Sequence, residues 1–420
     1  MPAKTVAKRE EPVFITVQNG AIAKVLREKG RLPPVAIRII PIGDVTRKTF
    51  YAESFVSYKF NNSILIPVDS FSFSLAFDGA GLPTVPVKEG DLISLEANRQ
   101  SLAVGIVDTV TVETDAISGT TLTIDGRDLM GQFEDQDAVS LDSEPIYSNK
   151  YTVDQVIGRL ARDTRVQPKP VKLSTPKTPY LFATQPGETK LSALQRYTES
   201  LNLLFWMDEN GNLVIGKPNL WQSPKGVLKC SRKERDSNVL SIRSTRNSTA
   251  CPNIVVPIWN GQETVQNRVT KEQILYNQNR GPADLRKRGH RVIRSIVVST
   301  PEGSSPQDLA EINLITATTG GNTVTRAGAA NLLQAYAKRE IARANIHELQ
   351  VQCRVVGHYN DRGEPYKADQ VYRIQYDLDG IDEDMYLFQV EYEMSEGGSQ
   401  QTSLFFCRQI NTLVSDVKVL

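Results

Sequence analysis

The chain has 420 residues, more than one hydrophobic core of ordinary size needs, so two or three domains are expected. Lysine and arginine total 49 against 48 acidic residues, and the formal net charge of +1 excludes a general attraction to nucleic acid or to an anionic membrane. No stretch approaches the roughly 20 apolar residues that cross a bilayer, and the first residues lack the apolar segment of a signal peptide, so neither membrane insertion nor secretion is expected.

Residues 1–34 are predicted to form an N-terminal arm. Val13, Ile15 and Val17 could add a strand to a neighbouring sheet, and residues 21–29 could form a short helix. Two outcomes remain open, because an arm too short to bury itself either packs on another element or stays disordered.

Residues 35–146 are predicted to form a first β-barrel domain. Short runs of β-forming residues alternate with turn sequences such as Asn61-Asn62 and Ile117-Ser118-Gly119. The runs cover residues 36–42, 50–60, 70–77, 91–97, 102–112 and 120–125. Regular short strands with turns between them are typical of a small antiparallel barrel or sandwich.

Residues 147–222 are predicted to form a small α/β domain. Thr152 followed by Gln155 is a capping box that starts a helix, and a second helix is predicted from Thr189. The apolar stripe of the first helix consists of Val153, Val156, Ile157 and Leu160. A β-hairpin follows at 203–215, with its turn at 208–212.

Residues 223–420 are predicted to form a second β-barrel domain. Strands are expected at 239–244, 253–259 and 291–299, and a long polar loop at 260–290. An amphipathic helix at 326–345 is expected to pack on four alternating strands that follow it as an antiparallel meander. The predicted fold class is therefore α+β and mainly β, with two small antiparallel β-barrel domains, a small α/β domain between them and a helix packed on the C-terminal meander.

The segment 280–294 is basic, and its cluster runs from Arg286 to Arg291. Asp284 interrupts the cluster and no series of aromatic residues accompanies it, so a solvated or protein-contacting loop is favoured over a phosphate site. Whether the cluster meets an acidic partner or passing DNA stays open.

No catalytic, cofactor-binding or metal-binding residue is assigned from the sequence. The three histidines, His290, His347 and His358, are not at metal-ligand spacing, and His347 is assigned a structural role at a helix end. No nucleophile elbow and no phosphate-binding loop occurs. The chain is therefore expected not to be an enzyme.

Two acidic clusters are the exception that needs weighing, because a pair of carboxylates can hydrolyse a glycoside. The clusters are Glu134, Asp135 and Asp137, and Asp382, Glu383 and Asp384. Both lie at predicted turns or domain boundaries, where acidic residues are usually solvated, so catalysis is disfavoured.

Three tryptophans, Trp206, Trp221 and Trp259, could stack on sugar rings. Trp206 lies in an apolar strand and is predicted to belong to the core, whereas Trp221 and Trp259 precede loops and remain candidates. The four cysteines, Cys230, Cys251, Cys353 and Cys407, show no paired spacing and are predicted to be reduced core thiols.

Three stretches together carry a resemblance to a known family. They are residues 122–133, where a strand runs into Gly-Arg-Asp-Leu-Met-Gly-Gln-Phe; residues 150–157, Lys-Tyr-Thr-Val-Asp-Gln-Val-Ile; and residues 205–218 together with the helix and strands after Arg326. In this order, over about residues 35–410, the sequence resembles the baseplate hub proteins of contractile-tailed bacteriophages of the Mu type. The hub portion of type VI secretion spike proteins is related to them.

The resemblance implies a homotrimer whose paired barrels form a pseudo-sixfold ring in the virion tail baseplate, made in the host cytoplasm. Such a ring joins the hexameric tail tube to the trimeric central spike and nucleates baseplate assembly. The implied partners are the tail tube protein, the central spike protein, baseplate wedge proteins and, as a further candidate, the tape measure protein, with DNA only passing through the central channel. No membrane and no cofactor is implied. Residues 1–34 and 260–290 look like additions, so contacts made by them are not carried over.

Two other functions stay as alternatives. A tail-associated cell-wall glycosidase or lytic factor would depend on Asp135 or Asp384, and a carbohydrate-binding module would depend on Trp221 or Trp259.

Overall fold

The structure is a computed structural model. It describes residues 13–15, 35–42, 49–52, 55–77, 87–115, 119–139, 152–170, 184–200, 203–231, 237–247, 254–260, 275–276, 293–299, 346–395 and 398–409. The predicted helix at 326–345 and the basic cluster Arg286–Arg291 lie outside these residues.

The N-terminal third is built of strands, as its alternating runs predict. They are β1 (Val13–Ile15), β2 (Val35–Ile40), β3 (Phe50–Ala52), β4 (Ser57–Ser63), β5 (Ser70–Phe77), β6 (Leu92–Ala97), β7 (Gln100–Asp115) and β8 (Gly119–Asp128). The run predicted at 50–60 divides into β3 and β4. From the predicted arm, β1 pairs in parallel with β3 of the same chain, so this part of the arm extends the chain's own sheet.

The middle of the chain contains helices and a small sheet. The elements are α1 (Gly131–Asp135), α2 (Val153–Leu160), β9 (Gln167–Pro168), α3 (Lys190–Ser200), β10 (Leu204–Met207) and β11 (Asn212–Gly216). The capping box at the start of α2 is confirmed: the Thr152 hydroxyl accepts a hydrogen bond from the Gln155 backbone N–H, and the Gln155 side chain accepts one from Thr152. The predicted hairpin is β10–β11, and β9 extends it in parallel.

The remainder of the described chain is again mostly strand. The strands are β12 (Val227–Cys230), β13 (Ser241–Arg246), β14 (Ile254–Asn260), β15 (Leu275–Tyr276), β16 (Ile293–Ser299), β17 (Leu349–Val356), β18 (Gln370–Tyr376), β19 (Ile381–Met394) and β20 (Gln401–Arg408). β14 pairs antiparallel with β15 and parallel with β16, forming a separate three-stranded sheet.

The described strands do not form closed barrels, so the predicted arrangement of two β-barrel domains is not confirmed. They pair into one continuous sheet in the order β1-β3-β2-β6-β7-β8-β5-β4-β19-β20-β17-β13, with β18 and β12 branching from β19. Among the described strands the path ends at β1 and at β13, and β4 in its middle pairs with β5 on one side and β19 on the other. The mainly β character is confirmed.

The four C-terminal strands are antiparallel, but they are not a meander. Their order is β18-β19-β20-β17, so β17 pairs with β20 and not with its neighbour in sequence. Alternation predicts which side of a strand is buried, but it does not specify the partner strand.

Two parts of the sheet repeat the same order. We call β4–β8 the first module, ordered β6-β7-β8-β5-β4, and β13 with β17–β20 the second module, ordered β18-β19-β20-β17-β13. Every pairing within both modules is antiparallel. Each long central strand, β7 or β19, carries a bulge against its neighbour, at Asp108 in one module and Phe388 in the other. The chain therefore contains two copies of one strand arrangement.

One hydrophobic core extends through both modules, and it includes Phe60, Phe73 and Ile124 from the first and Leu387 and Phe406 from the second. The α/β region has its own core around Phe133, Val156, Leu194 and Leu213. A third, smaller cluster joins the regions, and its members include Ile64, Trp206, Leu220, Tyr386 and Phe388.

Gly126 is required by the packing of an aromatic stack in the first module. The rings of Phe60 and Phe71 are stacked with centroids 5.0 Å apart. A Cβ atom at Gly126 would lie 2.4 Å from the Phe71 ring and 2.1 Å from the carbonyl oxygen of Ile106. Neither the ring nor the strand backbone can move aside without disturbing the core.

We predict that Gly126→Ala lowers the free energy of unfolding by about 1–3 kcal/mol, the range for overpacking a core. The matched control is Gly158→Ala in α2, where a Cβ meets nothing within 4 Å, and it should stabilise the protein by about 0.5–1 kcal/mol. Chemical denaturation measures both. Equal effects of the two substitutions would contradict the packing assignment.

Candidate assembly interface

The two modules meet along a strand edge. β4 pairs antiparallel with the distal half of β19, from Tyr58 opposite Met394 to Ser63 opposite Gln389. β18 pairs with the proximal half of the same edge, so β4 continues the ladder where β18 stops. This junction is a strand-to-strand contact between two similar modules. The same kind of contact could join modules of different copies, so we treat it as the candidate assembly interface.

A buried hydrogen-bond chain crosses the junction. The Tyr58 hydroxyl lies 2.8 Å from His358 Nε2, and His358 Nδ1 lies 2.8 Å from the Thr402 hydroxyl. Thr402 donates its own proton to the carbonyl oxygen of Gly357 at 2.6 Å. Because that proton is already used, His358 must donate from Nδ1 and accept the Tyr58 proton at Nε2.

The imidazole of His358 is neutral in this setting. Its complete burial lowers the pKa of His358 to about 3, and burial likewise raises the pKa of Tyr58. Both groups therefore stay uncharged at neutral pH, and the chain joins β4, the segment after β17 and β20 without a buried charge. Sequence reasoning missed this role, since Tyr58 and His358 are 300 residues apart.

A pair of buried carboxyl groups connects the junction to the α/β region. Asp69 accepts a hydrogen bond from the Ser63 backbone N–H at 2.7 Å, and the Asp128 backbone N–H donates to the carbonyl oxygen of Asp69 at 2.8 Å. Asp128 accepts from the Met130 N–H at 3.0 Å, where the chain enters α1. The sequence analysis did not single out either carboxyl group.

Burial raises the pKa of Asp69 to about 7, although the hydrogen bond from Ser63 opposes the rise. Burial, together with the nearby Asp69, raises the pKa of Asp128 well above its ordinary value. The second side-chain oxygen of Asp69 is buried with no hydrogen-bond partner among the described residues. A carboxyl group in this position is favoured in its protonated form.

The turn of the β10–β11 hairpin contacts both modules. Lys367, from the second module, lies 2.6 Å from the Glu209 carboxylate, and Ser101 of β7 donates to the Glu209 carbonyl oxygen at 2.5 Å. The Asp369 carboxylate accepts from the Asn219 N–H at 2.7 Å and from the Tyr386 hydroxyl at 2.8 Å. These contacts fix the α/β region against the joined modules.

The first acidic cluster surrounds an arginine instead of facing a cleft. Arg127 Nη1 lies 3.1 Å from Glu134, Nη2 lies 2.7 Å from Asp135, and Nε lies 2.7 Å from Asp108. Asp137 forms an isolated β-bridge with Thr189. Asp135 is thus held in an ion pair, and nothing in this arrangement favours a role in hydrolysis.

The second acidic cluster lies within strand β19, so its assignment to a turn is wrong. Arg373 contacts Asp382 at 2.9 Å and Asp384 at 3.1 Å, while Glu383 pairs with Arg408 at 3.1 Å. Successive side chains of a strand point to opposite faces, so the three carboxylates do not converge.

Trp206 is buried in the cluster that joins the regions, which confirms its predicted core position. Trp221 is 63% exposed. Trp259 lies in β14. Trp221 is therefore exposed, as a surface candidate would be, and the surroundings of the Trp259 side chain lie outside what the structure describes.

The cysteine prediction holds where it can be tested. Cys353 and Cys407 are buried free thiols, and Cys230 is a half-buried free thiol. Cys251 and His290 lie outside the described residues. His347 lies 3.2 Å from the Gln350 side chain.

Across the described ranges, no group of three or more His, Cys, Asp or Glu side chains is arranged to hold a metal ion. None of the helices in the part of the chain that the structure describes has the length and apolar character needed to cross a membrane.

We predict that Tyr58→Phe lowers the free energy of unfolding by about 1–3 kcal/mol, because His358 Nε2 is then a buried acceptor without a donor. Tyr376→Phe is the matched control, since Tyr376 is half-buried in β18 and its hydroxyl has no hydrogen bond within the described residues. It should change stability by less than about 0.5 kcal/mol. Urea denaturation of both variants measures the difference. Similar free energies of unfolding for the two variants would contradict the role of Tyr58 at the junction.

We predict that Asp69 makes the wild-type protein less stable as the pH rises from about 4 to about 7. The folded protein keeps the Asp69 proton to about pH 7, whereas the unfolded chain loses it near the ordinary value of 3.8, so the folded state binds more protons across this window. Asp69→Asn should reduce this slope, leaving the part that the buried Asp128 contributes. The variant should therefore gain stability relative to wild type as the pH rises, by on the order of a few kcal/mol across the window. Denaturation midpoints at several pH values measure the slope.

The control for that experiment is Asp137→Asn, at an exposed position, and it should keep the wild-type slope. A slope of undiminished size in Asp69→Asn would show that Asp69 does not retain its proton in the folded state.

No protein-family model and no curated protein matches the sequence. Solved structures do match. The tail protein from Neisseria meningitidis MC58 aligns with a TM-score of 0.66 at 19% identity, over 91% of this chain and 99% of that one. The 43 kDa tail protein of prophage MuSo2 from Shewanella oneidensis aligns with a TM-score of 0.65 at 15% identity, over 89% and 98%.

A chain of the Francisella PdpA-VgrG complex aligns with a TM-score of 0.50 at 8% identity, over 93% of this chain and 61% of that one. At these identities the likeness is one of fold. The resemblance to Mu-type tail proteins drawn from the sequence is confirmed at that level: this chain has the fold of phage tail proteins, one of them from a Mu-like prophage.

Proposed function

We propose that this chain is the structural hub of a phage tail baseplate. Three copies form a ring with pseudo-sixfold symmetry, which joins the hexameric tail tube to the trimeric central spike and nucleates baseplate assembly. The observation that carries the proposal is the repeated strand order of the first and second modules within one chain. Three copies of a chain with two similar modules present six similar surfaces.

The symmetry mismatch explains why a duplicated arrangement is useful. A hexameric partner repeats its contacts every 60°, whereas a trimeric partner repeats them every 120°. The two modules supply the sixfold repeat. The α/β region between Leu129 and Leu220 and the sheet of β14–β16 occur once per chain, so they supply the threefold repeat.

The proposal includes the boundaries 1–34 for an N-terminal arm, 35–146 for the first β domain, 147–222 for the small α/β domain and 223–420 for the second β domain. The separate cores of the modules and of the α/β region support the division near residues 129–220. The partners are the tail tube protein, the central spike protein, baseplate wedge proteins and the tape measure protein, with DNA only in passage through the central channel.

The role is geometric and involves no bond-making step. Both acidic clusters that could have supplied a catalytic pair are engaged by arginines, at Arg127 and Arg373. The fold likeness to tail proteins from Neisseria and Shewanella supports a place in the virion tail.

We predict that the purified protein is a trimer, either alone or on meeting its spike partner. Light scattering gives the mass, for which one chain contributes 46.7 kDa. Class averages from electron microscopy should show three projections around a central hole. A protein that remains a monomer at all concentrations, with and without the spike protein, would overturn the proposal.

A further inference from the structure

The first module contains a strand edge equivalent to the edge of β19 that β4 covers, and none of the described strands pairs with it. In the second module, the distal half of β19 pairs with β20 on one side and with β4 on the other. In the first module, the distal half of β7, residues 109–114, pairs with β8 on one side, and β6 stops pairing at Ile106. Within the described residues, the other side of this half-strand has no partner strand.

The strand equivalent to β4 also has one open side. β4 is the last strand of the first module, and β13 holds the same place in the second. β4 pairs with β5 and with β19, whereas β13 pairs with β17 alone among the described strands. Unpaired edges of this kind are ready templates for another strand.

The two bulges fix which residues are equivalent. With Asp108 set equal to Phe388, Val112 corresponds to Tyr392 and Glu113 to Glu393. Following the paired residues from strand to strand across each module then identifies the equivalent residues of β4 and β13. Phe60 is opposite Phe71, Phe71 is opposite Gly126, and Gly126 is opposite Val107, the residue before the bulge.

The same steps in the second module lead from Ser244 through Val351 and Phe406 to Leu387, which again precedes the bulge. Ser244 therefore corresponds to Phe60, and Arg243 corresponds to Lys59. Within the chain, Phe60 lies opposite Tyr392 and Lys59 lies opposite Glu393.

We propose that β13 of one copy pairs antiparallel with the distal half of β7 of a second copy of this chain, with Ser244 opposite Val112 and Arg243 opposite Glu113. This pairing reproduces between copies the β4–β19 junction that each copy already contains. It rests on the proposed function, since it specifies the contact by which the ring is built.

The side chains on the two edges are complementary. β13 carries Arg243 and the distal half of β7 carries Glu113, so the proposed register places a cation directly opposite a carboxylate. Opposite charges at directly facing positions stabilise antiparallel strands, and like charges destabilise them. Within the chain, Lys59 of β4 makes a diagonal ion pair across the junction, with its ammonium 3.4 Å from Glu391, two residues before the Glu393 that faces it.

Val112 supplies an apolar reason for the contact. It is 48% exposed in the single chain, and the equivalent Tyr392 is buried beneath the β4–β19 junction. A strand added at β7 would cover Val112 in the same way.

A second copy is the partner because the two edges use different surfaces and lie in different modules. A contact between two different surfaces is head-to-tail, and it repeats from copy to copy until the ring closes. Modules then alternate around the ring, joined in turn by β4–β19 within a chain and by β13–β7 between chains.

The test is a disulfide between the proposed partners, using full-length protein with Val112→Cys and Ser244→Cys together. Directly opposed residues of antiparallel strands have Cα atoms roughly 4.5–5.5 Å apart, which suits a disulfide. Oxidation should link copies covalently into dimers and trimers on a non-reducing gel, and a reducing agent should return them to single chains.

Two controls limit the interpretation. Val112→Cys with Thr245→Cys moves one thiol to the other face of β13 and should give little cross-linking. Wild type carries Cys251 and the half-buried Cys230 besides the buried Cys353 and Cys407, so it sets the background cross-linking that Val112→Cys with Ser244→Cys must clearly exceed. If wild type is a trimer but Val112→Cys with Ser244→Cys gives no covalent dimer, this contact is wrong and the hub proposal stands. If wild type never leaves the monomeric state, both fail.

Charge reversal provides a second test that does not depend on disulfide geometry. Arg243→Glu alone and Glu113→Arg alone should each weaken association by roughly tenfold or more, because like charges then face each other. The two substitutions together should restore association. Arg362→Glu, at an exposed turn away from both strands, should leave association unchanged. Failure of the double substitution to recover association would contradict the proposed register.

Discussion

The backbone hydrogen bonding of β4 on both of its sides holds this molecule together. On one side it completes the first module by pairing with β5, and on the other it pairs with β19 of the second module. Because each backbone N–H and C=O in a buried sheet needs a partner, a strand with two partners joins them more firmly than side-chain contacts alone. The continuous core through both modules and the buried chain from Tyr58 to Thr402 follow from this position.

The sequence predicted local structure well where the signal is local. The capping box at Thr152 and Gln155, the apolar stripe of α2 and the hairpin turn at 208–212 depend on residues a few positions apart, and all are present. The burial of Trp206 followed from its place in an apolar run, and that of Cys353 followed from alternation along its strand. Each of these signals is contained within one helix, strand or turn.

The strand partners and the candidate interface could not be predicted in the same way. Alternation in β17 or β19 shows which face is buried but not which strand lies alongside. A meander and two β-barrel domains were therefore predicted, whereas the described strands of these regions pair in one continuous path. The chain through His358 and the buried carboxyls Asp69 and Asp128 depend on residues brought together by the fold. The resemblance to a known family predicted the overall fold, which these local signals could not.

The great sequence separation across the junction has a consequence during synthesis. Tyr58 leaves the ribosome 300 residues before His358, which at 5–20 residues per second is an interval of roughly 15–60 s. For that time the outer side of β4 has no partner from its own chain. On a polysome, a neighbouring nascent chain that already displays β19 competes for that side, so exchange of β4 between chains increases with the local density of ribosomes.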